Sequence, residues 1–190
     1  MESERLEFET FRRTLRGGGP ISLKASSRAK REGSVMTVAK TEVLTMAPTT
    51  PICEAMKLMA ERKIRRIPVA DPGTKVSEGI LTATDIIDYL GGGKKFEIIQ
   101  RKFHGNMQIA INEQIKAIMT KNVISVKTSA EIDEAIKLMK EKNIGGLPVT
   151  DEENRVRAII TERDVSNLFV DKLSEISFSY NDKRRNGDSS

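Results

Sequence analysis

Two short strings hold the residues best suited to chemistry: Thr82-Ala83-Thr84-Asp85 and Thr161-Glu162-Arg163-Asp164. Each sets a hydroxyl and a carboxylate three positions apart, directly behind an apolar run, Gly79-Ile80-Leu81 in one case and Ala158-Ile159-Ile160 in the other. If the run is a strand and the string opens a helix, the unpaired backbone N–H groups and the positive end of the dipole offer an anion such as phosphate a seat. The threonine hydroxyl adds a further contact. A carboxylate just inside the first turn has two acceptor oxygens for the two donors of a ribose cis-diol. Thr and Asp also favour helix starts simply as caps. Capping alone, however, would be met by Ser, Asn or Asp at several offsets, whereas residue types and spacing both recur here.

The elements that must position these strings recur with them. Ile64-Arg65-Arg66-Ile67-Pro68-Val69 returns as Ile144-Gly145-Gly146-Leu147-Pro148-Val149, and between Pro51–Asp71 and Glu131–Asp151 eleven of twenty-one ungapped positions are identical. This is an internal duplication, and it governs how the rest is read. A chain of 190 residues is the size of one large or two small domains, so two repeats of about eighty residues are expected to share a core.

Composition narrows the class. Hydrophobic residues at 38% and charged residues at 31% describe a globular protein, and without Trp its core falls to Ile, Leu, Val and Met. Cys53 is the only cysteine, which excludes an intramolecular disulfide and a cysteine-based zinc cluster and fits a reducing cytosol. Met1 to Thr10 is acidic and polar, and nowhere do about eighteen apolar residues run together, so a cytoplasmic chain without signal peptide or membrane span is expected. The net charge of +5 is uneven: Thr10 to Arg31 holds seven basic residues and no acidic one. A charged, Gly-interrupted segment of this kind reads as a solvated flexible arm, and alternatively as an arm for nucleic acid.

In chain order, 1–34 reads as this tail, 35–93 as the first repeat, 94–117 as a linker containing a helix, 118–173 as the second repeat, and 174–190 as a polar tail. Val43-Leu44-Thr45-Met46 and Val123-Ile124-Ser125-Val126 read as leading strands. Thr50 is placed to cap the next helix with Pro51 in its first turn, and Ile52, Ala55, Met56 and Met59 line one face. The glycines at 91 to 93 stop the helix after Asp85, and Ile98, Ile99 and Phe103 are the inward candidates of the linker. Each repeat is thus strand, helix, strand, strand, helix.

The duplicated pattern of Thr45 and Thr50, the Ala55/Met59 helix, Ile67-Pro68-Val69 and Gly79-Ile80-Leu81-Thr82-x-x-Asp85 resembles a tandem pair of cystathionine-β-synthase (CBS) domains, the Bateman module, over roughly Val35 to Leu173. More narrowly, Arg65-Arg66-Ile67-Pro68, Asp88-Tyr89-Leu90-Gly91-Gly92-Gly93-Lys94 and Ala110-Ile111-Asn112-Glu113 resemble the first half of archaeal four-repeat proteins related to the γ subunit of AMP-activated protein kinase. The resemblance implies an α+β fold of two β-α-β-β-α repeats packed about a pseudo-two-fold axis through their sheets, with two clefts for adenine nucleotides. One cleft would use Ile80, Thr82, Thr84 and Asp85, with Ile124, Ile144 and Gly145 beside the base and Arg65 and Arg66 toward phosphates. The other would use Ile159, Thr161, Arg163 and Asp164, with Leu44, Ile64 and Arg65. There Gly145-Gly146 stands where the first repeat has its basic pair, so the Asp85 cleft is expected to be tighter for a multiply charged nucleotide.

The function so implied is a non-catalytic regulatory module that binds AMP, ADP or ATP, with S-adenosylmethionine open by the same chemistry, and signals energy state to a partner protein. The chain is either complete and homodimeric or part of something longer. No nucleophile with its base and no carboxylate pair with a metal is evident, so an enzyme is not expected. Gly91-Gly92-Gly93-Lys94 lacks the GxxxxGK[ST] spacing of a phosphate loop and follows a helix rather than a strand. His104 reads as an exposed linker residue, and Cys53 as packed rather than reactive.

Overall fold

The computed structural model describes residues 33–171 and 173. The basic arm from Thr10 to Arg31 and the tail at 174–190 lie outside them. Helix α1 spans Ile52–Arg62, strands β1 and β2 span Arg66–Ala70 and Ser77–Thr82, and helix α2 spans Ala83–Leu90. Two helices occupy the connection, α3 at Phe96–Phe103 and α4 at Met107–Ala110. The second copy supplies β3 (Val126–Lys127), α5 (Ile132–Lys142), β4 (Gly146–Thr150), β5 (Val156–Thr161) and α6 (162–171). This is a mixed α+β fold with two small sheets, β1-β2 and β3-β4-β5.

The leading strands are shorter than expected. Of Val43 to Met46 only Met46 pairs, as a parallel bridge to Val69, and of the second run only Val126 enters β3, opposite Val149. Leu44 and Ile124 remain exposed, so the apolar character that suggested a strand is not spent on sheet burial at these positions. The expected cap at Thr50 is also absent. Pro51 is itself the N-cap, in extended conformation, and the first two N–H groups of α1, on Ile52 and Cys53, donate to the carbonyls of Glu113 and Ile111. Backbone from the linker has replaced the hydroxyl, which meets the same requirement for orphan donors.

The residues cluster into two compact units that do not follow the order of the repeats. Among the described residues, one holds 33–41, Thr128–Leu147 and 159–171; the other holds Glu42–Lys127 and Pro148–Ala158. The short segment ahead of each repeat pairs with the other copy's elements. In the first unit Lys40 and Ile159 exchange both backbone hydrogen bonds, Val35 N–H donates to the Ala130 carbonyl, and the Val35 side chain is fully buried. In the second, Ile80 and Thr120 exchange both bonds at 2.9 Å, and Ile115 and Ile118 enter the core. Gly79 permits that approach, because a Cβ there would lie 2.7 Å from the Met119 sulfur and 3.0 Å from the Thr120 carbonyl oxygen.

The core of the second unit is Ile52, Ala55, Met59, Ile67, Val69, Leu81, Ile86, Tyr89, Ile99, Ala110, Ile115 and Ile118. The periodic face of α1 is therefore as expected, and Ile99 anchors the linker with Ile98 and Phe103 packed beside it. Among the described residues Tyr89 is the largest fully buried side chain, and its hydroxyl donates to the Ala110 carbonyl at 3.0 Å. Burial, with the Glu113 charge nearby, pushes its pKa up from 10.0 to about 12. Between those values the unfolded phenol has lost its proton while the folded one keeps it, so rising pH favours unfolding. Tyr89→Phe should lower stability at neutral pH by about 1–2 kcal/mol, because a buried carbonyl loses its donor. It should also remove part of the stability loss between pH 10 and about 12, which denaturant titrations across that range will read.

Candidate functional site: two buried carboxylates at strand-to-helix corners

At each corner a strand delivers its last residue as the N-cap of a helix. Thr82 is extended, with φ −118° and ψ 159°, and forms a capping box with Asp85. Asp85 Oδ2 accepts from the Thr82 N–H at 2.7 Å and from the Thr82 hydroxyl at 2.6 Å, while Thr82 Oγ1 accepts from the Asp85 N–H at 3.2 Å. The second corner repeats the two bonds to the carboxylate: Asp164 Oδ2 accepts from the Thr161 N–H at 2.9 Å and from its hydroxyl at 2.5 Å. The helices begin alike, since Ala83 N–H donates to the Arg65 carbonyl at 2.8 Å and Glu162 N–H to the Gly145 carbonyl at 3.2 Å.

These bonds narrow the chemistry expected of the corners. The threonine hydroxyls are committed to their own carboxylates, and at the first corner the Ala83 and Asp85 N–H groups are already used. The anion seat at the helix start is correspondingly reduced. The carboxylates, by contrast, turn inward: Asp85 is 9% exposed and Asp164 6%. A buried carboxylate must be paired, and each is. Lys95 Nζ forms an ion pair with Asp85 Oδ1 and also donates to the Ile118 carbonyl at 2.6 Å. Lys40 Nζ lies 3.2 Å from Asp164 Oδ1.

Neither lysine was anticipated. Lys40 stands far upstream of Asp164 in sequence and reaches it through the Lys40–Ile159 backbone pairing. Lys95 arrives through the turn after α2, where its N–H donates to Asp88 Oδ2 at 3.0 Å. A Cβ on Gly93 would fall 1.7 Å from Asp88 Oδ1, so glycine there leaves room for the carboxylate that accepts from the Lys95 N–H. The Gly91-Gly92-Gly93 run was a signal for that turn, read only as a helix stop. Of the other expected site residues, Ile80 is buried on β2, Thr84 and Arg163 are exposed on the first turns, and Arg65 is exposed just before β1. Arg66, Ile64, Ile144, Gly145 and Ile159 are half-buried, and Leu44 and Ile124 are exposed.

A second polar cluster ties the β4–β5 turn. Asp151 accepts from Arg155 Nε at 2.7 Å and Arg157 Nε at 2.8 Å, and burial, which would raise its pKa, is outweighed by these bonds, so the carboxyl stays well below the usual range. Among the described residues no group of three His, Cys, Asp or Glu side chains could hold a metal ion, and no helix is long and apolar enough to cross a membrane.

A family model described as "CBS domain" matches residues 34–92 and 115–171. The protein MJ1225 of Methanocaldococcus jannaschii, uncharacterized, is 44% identical over 142 residues, covering 74% of this chain and 51% of that one. Its crystal structure, presented as a candidate archaeal homologue of γ-AMPK, matches with a TM-score of 0.71 over 73% of this chain and 50% of that one. The CBS domain pair of MJ0100, crystallised with 5′-methylthioadenosine and S-adenosyl-L-methionine, is 29% identical, with a TM-score of 0.59 over 72% of this chain and 98% of that one. An uncharacterized 33.4 kDa protein of Thermofilum pendens is 28% identical over 77% of this chain and 50% of its own length. The chain therefore spans about half the length of the first curated relatives it matches.

Proposed function

The chain belongs to the CBS domain family, and from that premise we propose that it is a non-catalytic regulatory module for adenine nucleotides. The observation that carries this reading is the duplicated buried carboxylate, Asp85 and Asp164, each held at the same strand-to-helix corner by the same capping bonds. A carboxylate so fixed holds Oδ1, now paired with a lysine, as the acceptor that ribose hydroxyls would take over. The adenosine ligands of the MJ0100 pair, a chain related at 29% identity, favour the same ligand class. AMP, ADP and ATP are the proposed ligands, and S-adenosylmethionine shares the adenosine moiety. Ile80, Thr82, Thr84, Ile124, Ile144, Gly145, Arg65 and Arg66 would serve the Asp85 site. Leu44, Ile64, Arg65, Ile159, Thr161 and Arg163 would serve that of Asp164.

Regulation follows if the ligand binds two packings of the repeats unequally and so passes its concentration, and with it energy state, to a partner protein. The basic arm supports a separate reading as a nucleic-acid contact. It predicts steeply salt-dependent binding of DNA or RNA that vanishes when residues 1–32 are removed.

Titration calorimetry with AMP, ADP, ATP and S-adenosylmethionine tests the main reading. Charged hydrogen bonds contribute about 1.5–3 kcal/mol each, so Arg65 and Arg66 should make the Asp85 site at least about tenfold tighter for ATP than the Asp164 site. Equal sites, or a tighter site lost in Asp164→Ala and kept in Asp85→Ala, would contradict the asymmetry. Absence of binding by all four ligands would remove the nucleotide function itself.

A further inference from the structure

Each carboxylate is already occupied by a lysine, and the two occupancies differ in kind. A carboxylate has about four acceptor positions. Asp85 Oδ2 uses two for Thr82, and Oδ1 gives one to Lys95, leaving a single position where a cis-diol needs two. Lys95 is also anchored elsewhere: its Nζ donates to the Ile118 carbonyl and its own N–H to Asp88, and its side chain is 29% exposed. Lys40 is 62% exposed, and its Nζ lies 3.2 Å from Asp164 Oδ1. A pair so open to water is held weakly and is readily exchanged.

We propose that Lys95 is a specificity residue that restricts the Asp85 corner to phosphorylated adenosines. A ligand must draw the ammonium off Asp85 before its ribose can engage both acceptor positions. A phosphate supplies the replacement partner for Lys95, so the lysine moves from carboxylate to phosphate and no charge is stranded. A neutral nucleoside offers no such partner and would leave the ammonium uncompensated. The Asp164 corner, with its loosely held Lys40, lacks this discrimination and accepts neutral and phosphorylated adenosines more evenly. The inference rests on the nucleotide reading above and adds to it the class of ligand each corner selects.

The test is calorimetry with adenosine and with AMP on the full chain, comparing wild type, Lys95→Met, Lys95→Arg and Lys40→Met. Thermal unfolding confirms that each variant is folded, and Asp85→Asn or Asp164→Asn assigns the sites. In wild type the Asp85 site should prefer AMP over adenosine by at least tenfold more than the Asp164 site does. Lys95→Met should tighten adenosine at the Asp85 site about tenfold and shrink that preference, while Lys95→Arg keeps it and Lys40→Met leaves the Asp85 site unchanged. The inference is overturned if AMP binds but Lys95→Met leaves adenosine affinity unchanged or weaker. Should Lys95→Met fail to fold, unequal AMP preferences of the two sites in wild type, retained in Lys95→Arg, support the proposal, and equal preferences overturn it. If wild type binds neither adenosine nor AMP, the nucleotide reading falls, and this inference with it.

Discussion

Asp85→Ala is expected to lower stability by about 3 kcal/mol, roughly twice the loss from Asp164→Ala, in denaturant titrations at neutral pH. Both substitutions remove a capping carboxylate, which costs about 1–2 kcal/mol, and both strip an acceptor from a backbone N–H at a strand end. The difference lies in the stranded lysine. Lys95 sits largely within the protein and donates to a carbonyl, so removal of Asp85 leaves an ammonium that cannot fully return to water. Breaking such a pair from one side costs about 3–5 kcal/mol in a fully buried case, and the partial exposure of Lys95 cuts this to about 1.5 kcal/mol. Lys40 simply re-enters solvent when Asp164 is gone. The double variant Asp85→Ala/Lys95→Met should recover part of the loss. If both single substitutions cost the same, the Lys95 pair has no special weight in the fold, and the argument for its control of ligand entry weakens.

The carboxylates were legible in sequence because their position is local: a strand residue, a cap and a first-turn acid sit within four positions. Their burial followed from the same register, since Asp85 shares the inward side of α2 with Ile86 and Tyr89. Their lysines were not legible. Lys95 depends on a glycine turn that folds the chain back onto α2, and Lys40 on backbone pairing with a strand more than a hundred residues away. Sequence periodicity carries no trace of such tertiary partners. The same limit shortened the leading strands. Val43 to Met46 has the composition of a strand, but only Met46 meets a partner's hydrogen-bonding edge. Thr50 satisfied the rule for a cap, and the linker carbonyls of Glu113 and Ile111 reached the helix donors instead. Local propensity was overruled wherever distant backbone supplied the same bond.

A chain beginning at Glu42 should be less stable than one beginning at Gly33 by more than about 4 kcal/mol. A reading of the repeats as consecutive blocks would treat both truncations as trimming ahead of the first helix. The pairing pattern says otherwise. Residues 33–41 bring a fully buried Val35, the Val35–Ala130 bond, the Ile132 N–H partner at Gly33, the two-way Lys40–Ile159 exchange and the Lys40 charge on Asp164. Losing them exposes apolar surface and orphans several backbone groups in the unit that contains α5 and β5's last residues. Ile118→Ala probes the matching segment of the other unit, where a fully packed Ile should cost about 2–5 kcal/mol. Equal stability of chains beginning at Gly33 and at Glu42 would show that the exchanged segment contributes little. A large gap between them would show instead that the second half of the duplication is completed by the lead-in of the first, so that the second repeat is not a folding unit by itself.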